Sequence, residues 1–280
     1  MTKIIINDDD FQKFQEFFYR KTGIQFEASK RYFVDKRLIE RILESGNDNF
    51  RSYFTMLRFQ TSGVELQALV NVMTINETYF FREEYQFNCL VNSILPDVVA
   101  NKKDRSPIRI WVIPSSSGEE AYTIAMCLLE RWGGINDWDI EIISSDIDTK
   151  ILTQARAGLY SARSVKHVPP KYMQKYFTQT PLGYQLCSDL RNAVEFTRVN
   201  LMDAADVRGY RHFDIIFCRN LLIYFDDLSR KQAAETFYDA LQPGGFICLG
   251  HSESMSRISS LYKLRKFPEA IVYQKPWDGK

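Results

Sequence analysis

The chain has 280 residues, 45% hydrophobic and 25% charged, the proportions of a soluble globular protein of one large domain or two ordinary ones. Thirty-six Lys and Arg stand against 35 Asp and Glu, so the basic excess of a dedicated nucleic-acid binder is missing. No apolar run approaches the roughly 18 residues of a membrane span, and MTKIIINDDD is no secretory signal. Five scattered cysteines without a CxxC pair and three isolated histidines predict reduced thiols in a cytoplasm and no metal site.

The first 75 residues read as helical. Asp8, Asp9 and Asp10 can cap a helix carrying Phe11, Phe14 and Phe18 on one face, and Gly23 can stop it. Ser29 opens a second helix, with Phe33, Leu38, Ile39, Ile42 and Leu43 on its apolar side and Gly46 beyond its end. Lys30, Arg37 and Arg41 share the opposite side, a candidate surface for an acidic partner or a solvated face. Shorter helical patterns follow around Tyr53 to Leu57 and Val64 to Val72.

From residue 108 strand alternates with helix, which predicts an α/β fold with a doubly wound parallel sheet. Strands are expected at Ile108 to Ile113, Ile140 to Ser144, Phe213 to Cys218 and Phe246 to Leu249. Helices are expected at Glu119 to Arg131, Thr149 to Ala157 and Leu228 to Leu241, with Pro243-Gly244-Gly245 as a tight turn. Val168 to Asn200 breaks the alternation and reads as a small antiparallel insertion, and Tyr262 to Val272 as an edge hairpin.

Ligands of such sheets bind beyond the carboxyl ends of the strands. The first strand runs into Pro114-Ser115-Ser116-Ser117-Gly118-Glu119-Glu120, whose small residues admit a ligand to a helix start. It is neither GxGxxG nor a P-loop, and its paired glutamates suit a ligand with a cationic part. Asp146, at the second strand tip, either accepts ribose hydroxyls or joins Asp148 in capping the next helix. Cys218-Arg219-Asn220-Leu221 forms a further polar tip, without the Asn/Asp-Pro-Pro-aromatic motif of base methylation. The linker TINETYFFRE, residues 74–83, is the densest polar-aromatic constellation, or else a hinge with buried Phe80 and Phe81.

TINETYFFRE, RIW with SSSGEEAYTIAM, SSDIDTKILTQARAGLY, VNL, FCRNLLIYF and PGGFICLGHSE, in this order, resemble the CheR family of chemotaxis-receptor methyltransferases, along essentially the whole chain. The resemblance implies a Rossmann-like class I methyltransferase sheet with an all-helical N-terminal domain and a small antiparallel β insertion. The implied division is a receptor-recognition domain over 1–75, a linker to about 107, and an S-adenosylmethionine domain over 108–280 with a β subdomain at about 168–200. It implies transfer of the methyl of S-adenosyl-L-methionine to receptor glutamates, leaving methyl esters and S-adenosyl-L-homocysteine. Asn76, Thr78, Arg82, Gly118, Glu120, Asp146, Asn200, Leu201, Arg219 and Asn220 are the implied cofactor residues, with Arg82 and Tyr224 nearest the reacting methyl. Lys30, Arg37 and Arg41 are the substrate-binding candidates. The implied partner is the cytoplasmic helical domain of chemoreceptors, met by a cytoplasmic monomer recruited to receptor arrays at the inner membrane face, with neither nucleic acid nor membrane insertion involved.

Two departures from the family pattern stand out. Ile113 and Pro114 replace small residues, and Ala121 replaces the Pro of Gly-Glu-Glu-Pro-Tyr; Pro114 also removes one N–H. The short TQTPLGYQ loop points to an enzyme that does not use the pentapeptide tether of some receptors. A glutamate carboxylate is already ionised at neutral pH, so no general base is required, and His251 reads as structural. The competing classes are a non-catalytic cofactor-sensing scaffold and an RNA or small-molecule methyltransferase.

Overall fold

The computed structural model describes residues 4–277. Four helices come first: α1 (Asp8–Thr22), α2 (Arg31–Glu44), α3 (Phe50–Phe59) and α4 (Val64–Met73). Asn7 caps α1 by accepting the Asp10 N–H at 2.8 Å, and Asp10 returns the bond, so the three aspartates fill the first turn rather than precede it. Gly23 ends α1 at φ 72°. Ser29 lies inside a 3-10 turn, Ala28–Lys30, and α2 begins only at Arg31.

Phe14, Phe18, Val34, Leu38, Ile42, Tyr53 and Leu69 form the fully buried centre of this bundle. The buried face of α2 is Val34, Leu38, Ile42, spaced i, i+4, i+8; Leu43, expected inside, is 60% exposed. The basic side of α2 is not a free stripe. Arg41 forms a fork with buried Glu65 (Nη2–Oε2 2.6 Å, Nε–Oε1 3.0 Å), and Glu65 also accepts the Tyr53 hydroxyl at 2.9 Å. Arg37 donates to the Val72 carbonyl and stacks 3.8 Å from the Phe33 ring centre. Lys30 is exposed.

The segment expected as a linker contains an unforeseen long helix: α5 (Glu84–Cys89), a π-helical turn (Leu90–Ile94) and α6 (Leu95–Asn101). Beyond it come β1 (Ile108–Val112), α7 (Glu119–Arg131), β2 (Ile140–Asp146), α8 (Thr149–Ala157), β3 (Leu159–Tyr160), α9 (Pro170–Tyr176), β4 (Phe177–Thr180), β5 (Gly183–Leu186), α10 (Ser188–Asn192), β6 (Val194–Arg198), α11 (Ala204–Val207), β7 (Phe213–Cys218), α12 (Asp227–Ala240), β8 (Leu241–Leu249), β9 (Lys263–Lys266) and β10 (Ile271–Gln274).

The main sheet has the order β6-β2-β1-β7-β8-β10-β9. Its first five strands are parallel, and β10 and β9 add the expected antiparallel edge. Successive residues of β1 and β7 feed opposite layers: Ile110, Val112, Ile215 and Phe217 one core, Trp111, Ile216 and Cys218 the other. β3, β5 and β4 form the small antiparallel sheet.

Four expectations change. The insertion's sheet begins at Leu159, and Val194–Arg198 belongs to the main sheet as its parallel edge. An edge strand exposes one face, so VEFTR alternates in polarity as an antiparallel strand would. Pro243-Gly244-Gly245 is a bulge inside β8, not a separate turn: Leu241 pairs with Phe213 and Phe246 with Ile215, and Gly244 takes φ 81°. β2 runs two residues further than expected, so that Asp146 is its last residue. Among the described residues no helix is long and apolar enough to cross a membrane.

Candidate active site

β1 lies between β2 and β7, so the tips of three parallel strands converge at one end of the sheet. The exit of α1 covers that end: Gln25 N donates to the Tyr224 carbonyl at 3.2 Å, and Ile24 bridges to Phe225. Between them is a cavity of about 260 Å³. It is lined by Asn76, Thr78, Arg82, Glu120, Asp146, Asn200, Leu201, Arg219, Asn220 and Tyr224, which the sequence had scattered over 149 positions, from 76 to 224 inclusive. Thr22, Ile24, Phe26 and Met73 of the helical unit also line it. Sequence reasoning missed these four, because Ile24, Phe26 and Met73 read as core and Thr22 as the last turn of α1.

Gly118 is not among the lining residues. It heads α7 at φ 91°, and a Cβ there would meet Tyr122, Ala155 and Phe196 at 3.0–3.2 Å. Close packing of α7 therefore explains that glycine. Lys30, Arg37 and Arg41 also lie outside the cavity wall.

Asp146 is 3% exposed. Its Oδ2 accepts the Ser116 N–H at 2.8 Å and its Oδ1 the Asp148 N–H at 3.0 Å. Burial pushes its carboxyl up to about 6, helped by the Asp148 charge and opposed by these N–H donors. An ionised carboxylate offers about four acceptor positions, so capacity remains for a ligand. Asp148 is the helix cap: it accepts Lys150 N and Ile151 N. The same side chain receives Thr74 Oγ1–H at 2.7 Å and Asn76 Nδ2–H at 2.9 Å, which pins the linker to the sheet.

Arg219, 4% exposed, is the hub of the opposite wall. Its Nη1 pairs with Glu120, and its Nη2 donates to the Arg82 carbonyl at 2.6 Å and lies 3.1 Å from Glu83. Burial pushes the Glu120 carboxyl up while the Arg219 charge pulls it back. Arg82 itself is half-buried, its Nη1 bonded to the Glu77 carbonyl at 2.9 Å. Burial raises the Tyr224 hydroxyl above the ordinary phenol value, so it stays protonated near neutrality. Of the five non-glycine residues with positive φ among those described, Phe81, Glu83, Ser116 and Asn220 sit in segments around the cavity. Strained backbone of this kind costs on the order of 1–3 kcal/mol per residue and collects at functional sites.

The residues fit a cofactor with a ribose and a charged amino-acid end. Ser115 Oγ, Ser116 Oγ and Arg219 Nε are buried without a hydrogen-bond partner, and all three residues line the cavity. Buried polar groups left unpaired by the protein are costly, and a polar ligand in the cavity would satisfy them.

The comparisons agree with that geometry. The family described as CheR methyltransferase, SAM binding domain, matches residues 76–271, and CheR methyltransferase, all-alpha domain, matches residues 9–74. This chain belongs to the CheR methyltransferase family. It is 54% identical to chemotaxis protein methyltransferase 2 of Vibrio cholerae, over all of this chain and 97% of the relative. Identity is 33% to the chemotaxis protein methyltransferase of Salmonella typhimurium, covering 94% of this chain and 90% of that one. It is 36% to chemotaxis protein methyltransferase 2 of Pseudomonas aeruginosa, covering 91% and 90%. The chain is thus an S-adenosylmethionine-dependent methyltransferase of the CheR type, with an α/β sheet, an all-α unit and a small antiparallel β sheet.

Proposed function

We propose that this enzyme methylates glutamate side chains of chemoreceptors, and that the cavity at the strand tips is where it does so. The observation that carries the reading is the meeting of Asp146, Glu120, Arg219, Arg82 and Tyr224 around one cavity roofed by the helical unit. S-adenosylmethionine, when bound, supplies a methyl group on a sulfonium, ready for displacement without further activation. Asp146 accepts from the ribose, and Glu120 and Arg219 hold the amino-acid end. Asn76, Thr78, Asn200, Leu201 and Asn220 complete the wall. Arg82 orients the incoming glutamate with its planar charged fork, and the Tyr224 hydroxyl donates a hydrogen bond beside the reacting oxygen.

The substrate carboxylate is ionised at neutral pH, so the protein's contribution is alignment and exclusion of water, with no proton to move. Residues 1–75 serve receptor recognition, and residues 108–280 methyl transfer. Lys30 is the member of the basic set left exposed to meet an acidic receptor helix, with Arg37 and Arg41 supporting the same side. The β4–β5 connection is only Pro181-Leu182, a tight hairpin that supports tether-independent action. The enzyme works as a cytoplasmic monomer recruited to receptor arrays at the inner membrane face.

The test is transfer of labelled methyl from S-adenosylmethionine to membranes bearing chemoreceptors, followed by mass mapping. Alkali-labile label on receptor glutamates supports the reading. Label that resists alkali, or that goes to RNA, rejects it.

A further inference from the structure

Glu83 is absent from the residues lining the cavity, yet it is built into the cavity's charged wall. It stands at the start of α5 with φ 59°, a conformation that costs an ordinary side chain energy. Its carboxylate is 12% exposed and fully engaged. Oε2 lies 3.1 Å from Arg219 Nη2 and accepts the Tyr85 hydroxyl at 3.2 Å; Oε1 is 2.8 Å from His251 Nδ1. Burial raises the carboxyl, but the Arg219 charge and the His251 bond more than offset that and hold it below the usual glutamate value.

The consequence falls on Arg219. With Glu120 on Nη1 and Glu83 on Nη2, the guanidinium has a carboxylate on each arm and cannot swing onto either. Its Nε–H is also buried and has no partner in the protein. A buried guanidinium donor that lacks a partner costs stability, and an acceptor on a ligand in the cavity would remove that cost.

We propose that Glu83, braced by His251, is a positioning residue that fixes the rotation of Arg219, so that this arginine and Glu120 together receive the amino-acid end of the cofactor. The proposal rests on the cofactor being S-adenosylmethionine, but not on the identity of the methyl acceptor. Without Glu83, Arg219 keeps only Glu120 on Nη1 and the Arg82 carbonyl on Nη2, and its guanidinium is free to rotate toward Glu120 and away from the ligand. His251, 67% exposed, acts only through Glu83.

Two ligands separate positioning from a structural role. S-adenosylhomocysteine carries the amino-acid end, whereas 5′-methylthioadenosine keeps adenosine and sulfur and lacks it. By calorimetry on the full chain, Glu83→Gln should weaken S-adenosylhomocysteine about tenfold and change 5′-methylthioadenosine less than twofold. His251→Gln should weaken only the former, by about two- to threefold. Unchanged S-adenosylhomocysteine affinity in Glu83→Gln would overturn the proposal. So would equal loss for both ligands, which would make Glu83 a general support of the pocket. If the wild-type chain bound neither ligand, the cofactor assignment itself would fall.

Discussion

Asn200 donates its Nδ2–H to the carbonyl of Lys21 at 2.6 Å, tying the end of α1 to the loop that follows β6. The same side chain accepts the Met202 N–H through Oδ1 at 3.0 Å. One residue of the cavity wall therefore also holds the helical unit onto the sheet. Asn200→Ala should leave two backbone groups short of a partner, at about 1–3 kcal/mol in total. The melting temperature should drop by roughly 2–4 °C per kcal/mol, with cofactor affinity falling in parallel. Scanning calorimetry with and without S-adenosylhomocysteine measures both effects. A variant with reduced affinity but unaltered melting would mean that the Lys21 link carries no stability.

Asp146 makes a pH prediction whose sign is fixed by its upward shift. A buried carboxyl at about 6 binds its proton more tightly folded than unfolded. Its favourable contribution to stability is thus complete below about 3.9 and lost as pH rises through about 6. At pH 7.5 the ligand-free protein carries this ionised group at a cost on the order of 3 kcal/mol. Asp146→Asn sets an amide NH2 against the Ser116 or the Asp148 N–H, a cost that does not vary with pH. It also removes the titration, so the fall in melting temperature from pH 4 to pH 7.5 should be smaller in the variant than in the wild type. The same variant should bind S-adenosylhomocysteine at least tenfold more weakly at pH 7.5. Wild-type affinity should fall below about pH 6, and that inflection should vanish in Asp146→Asn.

The α2 arginines need a different test from the one their sequence suggests. Arg41 forks onto Glu65, which is 6% exposed. Arg41→Ala would strand a buried carboxylate, at about 3–5 kcal/mol, and should show as a large drop in melting temperature. Lys30→Glu changes an exposed charge instead. It should lower the rate of receptor methylation several-fold, flatten its salt dependence and leave S-adenosylhomocysteine affinity intact. Full receptor methylation by Lys30→Glu at low salt would remove Lys30 from the interface.

The parallel strands were legible because their residues are buried on both faces and read as short apolar runs, as Phe213–Cys218 does. The polar residues at their tips were legible because that fold fixes which end binds. The edge strand Val194–Arg198 was not, since half-exposure gives it the alternation of an antiparallel strand. Nor was the fate of Arg37 and Arg41, because helical spacing places residues on a side without saying what covers that side. Glu65, 24 positions from Arg41, is what covers it. Glu83 was passed over for a similar reason: its partners Arg219 and His251 lie 136 and 168 positions away.

The Arg82 fork and the Tyr224 hydroxyl separate orientation from charge. Arg82→Lys keeps the charge and loses the planar fork, and should cost about a hundredfold in single-turnover rate at saturating cofactor. Tyr224→Phe should cost less. Equal rates for Arg82→Lys and wild type would show that Arg82 does not orient the glutamate.

The central claim is that the protein aligns a carboxylate that is already ionised and needs no general base. Its most direct test is the pH dependence of single-turnover methyl transfer to receptor at saturating S-adenosylmethionine. The account predicts a nearly flat rate from about pH 6.5 to 8.5, well above the ordinary glutamate range, in the wild type and in His251→Gln alike. A sigmoidal profile with an apparent pKa near 7 that disappears in His251→Gln would contradict it, and would make His251 a base acting on a protonated nucleophile.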